Sequence, residues 1–76
     1  MIERVTYKPE GERSRSVLLR VRQDRGRFLT GVELKQDGDE VRPRGADERV
    51  HVIEKELITK RTPMRFNLTY GTLEEA

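Results

Sequence analysis

Glycine and proline punctuate this chain at regular intervals, and the runs between them alternate apolar and polar residues with period two. Pro9-Glu10-Gly11, Asp24-Arg25-Gly26, Asp37-Gly38 and Pro43-Arg44-Gly45 carry turn chemistry. Proline presets one dihedral there and glycine accepts positive φ without steric cost. Between them, Val17, Leu19 and Val21 alternate with Ser16, Leu18, Arg20 and Arg22. Phe28, Thr30, Val32 and Leu34 alternate with Leu29, Gly31, Glu33 and Lys35, and Met64, Phe66, Leu68 and Tyr70 with Arg65, Asn67 and Thr69. Period two sends one set to a core face and the other to the opposite face. Ile2 to Lys8 is a weaker strand with Val5 and Tyr7 on one side. Asp37-Gly38 suggests a tight hairpin, returning from Asp39 to Arg42.

Residues 46–61 read differently. Ala46, Val50, Ile53 and Leu57, with Ile58 alongside, follow helical spacing. Asp47 suits an N-cap, Glu48 the positive end of the helix dipole, Lys60 and Arg61 the negative end, and Pro63 a stop just beyond. Glu56 and Lys60 would form an i,i+4 pair. The β-branched Val50, Val52, Ile53, Ile58 and Thr59 favour a strand, but the end signals weigh toward a helix over about 47–61. The expected fold class is therefore α+β: a small antiparallel sheet of four to five strands with that helix packed on a face. A strand over 49–61 would instead give an all-β small barrel or roll.

The 76 residues form one domain, 1–76, with no linker or repeat to divide them. A chain this short buries only about 60% of the surface its unfolded form exposes. It has no cysteine and a single histidine, so neither a disulfide nor a cysteine zinc site can reinforce it. Self-association or a partner is the expected reinforcement, and a homo-oligomer the default. No apolar run has signal-peptide or membrane-span length, which makes a cytoplasmic location the expectation and a membrane partner unexpected.

The same inventory argues against catalysis. His51 stands outside any nucleophile motif, Ser14 and Ser16 lie among arginines, and no glycine-rich phosphate loop occurs. His51 and Glu54 share a helical face but lack further metal ligands. We therefore expect no enzyme, cofactor, metal site or small-molecule substrate.

Charge layout carries the remaining signal. Residues 1–30 hold eight bases and four acids, while residues 31–59 hold five bases and eight acids. Twelve of the sixteen bases are arginine, suited to planar contacts with carboxylate or phosphate. Arg13, Arg15, Arg20, Arg22, Arg25 and Arg27 gather around the second strand and its turn, as a candidate binding face. Leu18 and Leu29, on the polar sides of their strands, could form an exposed apolar pair or lie beneath the helix. Together these features predict a protein-interaction or assembly module, such as an accessory subunit. The alternative is a backbone-directed nucleic-acid binder, although the four aromatics, Tyr7, Phe28, Phe66 and Tyr70, fall mostly on expected core faces and not on a stacking platform.

Overall fold

The computed structural model describes residues 1–37, 40–43 and 48–76. Seven strands run in chain order: β1 (Ile2–Tyr7), β2 (Arg15–Arg25), β3 (Phe28–Asp37), β4 (Glu40–Pro43), β5 (Val50–Glu54), β6 (Ile58–Asn67) and β7 (Thr72–Glu75). They form an open antiparallel sheet in the order β4-β3-β2-β1-β6-β7, with β5 pairing the first half of β3. β4 and β7, the two ends of this order, approach one another without pairing, so the sheet curls.

The helix expected over 47–61 is absent. Residues 46 and 47, its proposed start, lie outside the described residues, and the rest forms β5, a 3-10 turn at Lys55–Leu57, and β6. The α+β class is thereby overturned in favour of an almost wholly β chain; residues 50–54 and 58–61 are strand, but the sheet is open and not the small barrel or roll of the alternative. The physical reason lies in the β-branched residues. Val50, Val52 and Ile53 fit a pleated surface better than a helix. The i, i+3 spacing of Val50 and Ile53 arises because β5 is apolar on both sides: Ile53 is buried, and Val50 faces the other way. Leu57 prolongs the apparent helical series only because it sits in the 3-10 turn. Pro63, read as a helix stop, lies inside β6 opposite Glu3, and its carbonyl accepts from the Ala76 N–H at 2.9 Å.

Of the predicted strands, β1, β2 and β3 form where the alternation placed them, β2 and β3 running longer. β3 and β4 pair through Asp37 and Glu40. The hairpin between β2 and β3 turns at Gly26, whose φ of 59° suits the first central position of a type II′ turn. The predicted last strand, ending at Tyr70, stops earlier. β6 ends at Asn67, whose side-chain oxygen accepts from the Thr69 and Tyr70 N–H groups at 3.0 and 3.3 Å. This turn leaves Leu68 and Tyr70 exposed.

Partner residues on antiparallel strands point to the same face, so the register assigns both faces of the sheet. On the inner face, Val5, Val17, Leu19, Leu29 and Ile53 form the core cluster, flanked by Tyr7, Val21 and Ile58. Gly31 shares this face. A Cβ there would lie 2.7 Å from the Arg20 carbonyl oxygen, so only glycine lets β3 approach β2 this closely. Leu18, Val32 and Leu34 are buried on the opposite, outer face. Two sequence expectations about these residues fail. Leu29 belongs to the core and Phe28 is exposed, the reverse of the face assignment from alternation. Leu18 and Leu29 are both buried and on opposite faces, so they form no exposed pair.

One edge of the core is closed by charge. Arg61 donates from Nε and a terminal nitrogen to the two oxygens of Glu3, at 2.8 Å each, and reaches Asp24 at 3.0 Å. Lys55 completes the group on Asp24. Glu3 is only 3% exposed, and its bidentate guanidinium partner makes that burial tolerable.

Candidate functional site

The outer face of β2, β3 and β5 is built from three cross-strand rows. The register sets Arg20 beside Val32 and Val32 beside Val50 in the first row. Gln23, Thr30 and Val52 form the second, and Arg25, Phe28 and Glu54 the third. Successive rows lie about 7 Å apart along the strands, and the face is about 10 Å wide across them. The register shift between Val21 and Gln23 leaves Arg22 as an extra residue in a bulge. Its side chain turns toward Glu48, 3.9 Å away, and lines a cleft of about 40 Å³ with Arg20, Val32, Leu34 and Glu48.

Four of the six arginines singled out from the sequence thus meet around this face. Arg20 and Arg22 stand at one end, Arg25 and Arg27 at the other. Arg27 lies over the Phe28 ring, 5.7 Å from its centroid, and donates to Glu54 at 2.6 Å. Arg20 and Arg25 have no ion-pair partner among the described residues. Arg13 and Arg15 belong elsewhere. Arg15 opens β2, about 33 Å of extended chain from Arg25, and is bound to Glu12. Arg13 lies in the loop before it.

The face ends in an unpaired strand edge. Glu33 N–H donates to the Arg49 carbonyl and Lys55 N–H to the Arg27 carbonyl, both at 2.8 Å. In an antiparallel ladder the backbone groups directed at a given neighbour recur every second residue. His51 and Ile53 therefore bond to β3, and the N–H and C=O groups of Val50, Val52 and Glu54 point away from it. No strand among the described residues pairs with that edge. Val50 and Val52, on the same positions, are 55% and 63% exposed.

Sequence reasoning missed these two valines by placing them on a helix. The signal was present in the β-branched run itself. It likewise paired His51 with Glu54, whereas His51 lies 3.0 Å from Glu33 on the inner face and Glu54 belongs to the outer one.

Other surfaces are less developed. An open groove of about 380 Å³ is lined by Lys55, Ile58, Thr59, Lys60 and Arg61, but Lys55 and Arg61 are engaged by Asp24 and Glu3. Hydrogen bonds from Lys55 and then Arg61 hold the Asp24 carboxyl below its usual range. Glu3, and after it Asp24, raise the Arg61 guanidinium. The exposed, apolar turn bearing Leu68 and Tyr70 adjoins β7, whose outer edge is also unpaired among the described residues, but the neighbouring Arg65 is bound to Glu74 and no cation cluster borders it. Among the described residues, no group of three or more acids, histidines or cysteines could hold a metal ion, and no helix is long and apolar enough to cross a membrane. Comparison of the chain with family models, with curated proteins and with solved structures found no match in any of the three.

Proposed function

We propose that this protein is a non-enzymatic interaction module that binds a protein partner through the outer face of β2, β3 and β5. The observation that carries this reading is the line of exposed Val50 and Val52 along an unpaired strand edge, flanked at both ends by arginines. Exposed apolar residues beside unsatisfied backbone groups are costly for a solitary domain and useful to one that docks. Arginine flanks add orientation and partner selection.

A different chain fits this edge better than a second copy. The antiparallel register that sets Val50 opposite Val52 of another copy also sets Glu48 opposite Glu54. The register centred on Val52 sets Arg49 opposite Lys55 and Val50 opposite Glu54, and the one centred on Val50 sets Val52 opposite Glu48. Like charges directly across a ladder oppose pairing.

The test is selection of peptides from a random display library on the purified protein at physiological salt, with a single-stranded oligonucleotide as competitor. The reading expects peptide binders that survive the competitor and are lost from the Val50→Lys, Val52→Lys double variant. Displacement of every binder by the oligonucleotide would favour the alternative, a nucleic-acid surface centred on Arg20 and Arg25, whose guanidinium groups have no ion-pair partner among the described residues.

A further inference from the structure

The kind of partner can be taken further, on the basis of the interaction reading above. We infer that the outer face of β2, β3 and β5 docks an amphipathic α-helix of another protein, lying along β3 with an acidic flank toward β2 and an apolar stripe toward β5.

Three observations describe that occupant. The first is the width of the face. Arg20 and Arg25 stand on β2 and Val50 and Val52 on β5, all on one side of the sheet with β3 between them. The two flanks are therefore about 10 Å apart, the diameter of an α-helix with its side chains. An extended segment added at the β5 edge touches the valines but leaves β5 and β3 between itself and the arginines. A helix over β3 reaches both.

The second is the charge. Arg22 and Arg27 are paired with Glu48 and Glu54, whereas Arg20 and Arg25 have no ion-pair partner among the described residues. Their rows are about 13 Å apart along the strands. Carboxylates seven or eight residues apart share one side of a helix and stand about 11–12 Å apart along its axis, a spacing that the long guanidinium side chains can meet.

The third is the uncovered apolar surface. Phe28, Val50 and Val52 are exposed on this face around the buried Val32. A layered domain covers such a surface with a packed helix. Among the described residues this chain has no α-helix, its one helical turn being the 3-10 segment at Lys55–Leu57. A second copy lacks the helix for the same reason, so the occupant is a different chain.

The inner-face residues of β5 do not compete for this role. Ile53 is buried in the core and His51 is held by Glu33. A docked helix adds a layer above Val50 and Val52 and leaves the backbone edge of β5 unpaired, which separates it experimentally from an added strand.

The experiment uses the full chain labelled with ¹⁵N and three synthetic peptides, acetylated and amidated, of about 18 residues, long enough to hold a helix once docked. The first carries, at helical spacing, a stripe of leucine with a stripe of glutamate beside it. The second has lysine in place of glutamate, and the third is the first with a central proline. The glutamate peptide should bind, gain helical circular dichroism and shift the amides of Phe28, Thr30, Val50 and Val52. The lysine and proline peptides should each bind at least tenfold more weakly. The Arg20→Glu, Arg25→Glu variant should reverse the preference for glutamate over lysine while leaving the spectrum of the core amides unchanged. Equal binding of the glutamate and lysine peptides would overturn the acidic flank. Undiminished binding of the proline peptide, with slowed exchange of the Val50, Val52 and Glu54 amides, would overturn the helix in favour of an added strand and leave the broader interaction reading standing. Failure of all three peptides to bind would overturn the helix proposal. If an oligonucleotide then shifts the Arg20 and Arg25 resonances, the interaction reading falls with it.

Discussion

At the scale of single residues, the most consequential interaction is the one between Glu3 and Arg61. Glu3 occupies an inner-face position beside Leu19, where an apolar residue is the simpler choice. Removing its partner leaves a carboxylate in the core edge with its desolvation uncompensated. Arg61→Met should therefore destabilise the fold by about 3 kcal/mol in urea denaturation, and Glu3→Gln in the same background should recover part of the loss. An unchanged midpoint for Arg61→Met would mean that water already satisfies Glu3. Asp24 contributes a pH dependence through Lys55 and Arg61. Its folded pKa is depressed relative to an unfolded value of about 3.9. The contribution is therefore complete above about pH 4 and lost as the pH falls through the depressed value. Thermal midpoints of the wild type and Asp24→Asn should differ at pH 6 and converge near pH 2.

At the scale of elements, the contrast between β2 and β5 shows what a sequence pattern can carry. β2 was legible because Val17, Leu19 and Val21 alternate with Ser16, Arg20 and Arg22, Leu18 being the one apolar exception, beside turn signals on both sides. β5 was not legible as a strand because both of its faces carry apolar residues, one set buried and one exposed. An apolar run without alternation reads equally well as one stripe of a helix. The end signals then tipped the balance the wrong way: Lys60, Arg61 and Pro63 serve as strand residues of β6, not as a helix terminus. The face assignment in β3 failed for a related reason. Strand β3 buries Leu29 on one side and Val32 and Leu34 on the other, so alternation could not name a single core face. The clustering of Arg20, Arg22, Arg25 and Arg27 was readable from spacing. Their relation to Val50 and Val52 was not, because it depends on the long-range pairing of β3 with β5, Val32 with Val50 and Thr30 with Val52. Gly31 marks the junction of β2 and β3 from the inside. Gly31→Ala forces the new methyl against the Arg20 backbone and should cost about 1–3 kcal/mol, measured by urea denaturation. Wild-type stability would mean that the strands separate more easily than their packing implies.

At the scale of the whole molecule, the net charge of +2 conceals an organised surface. Several cations are spent internally, with Arg61 and Lys55 bound at the core edge and Arg65 on Glu74. Among the described residues, Arg20 and Arg25 on the outer face of β2, β3 and β5 have no ion-pair partner. If that face binds proteins, Arg20→Glu with Arg22→Glu should lower retention on a heparin column only modestly, in keeping with the loss of two screened surface charges. Loss of a steeply salt-dependent retention would point to phosphate tracking instead. The free protein should scatter light as a monomer of about 8.9 kDa at micromolar concentration, because self-pairing of β5 sets either like charges across the ladder or a valine against a glutamate.

Hydrogen exchange along residues 50–54 of the free protein tests the central claim most directly, since that claim is an outer strand with one edge bound and the other open. The account predicts alternation: slow exchange for the His51 and Ile53 amides, which bond to β3, and fast exchange for Val50, Val52 and Glu54. Uniform protection across all five amides would contradict it, because the edge would then be covered or the segment helical.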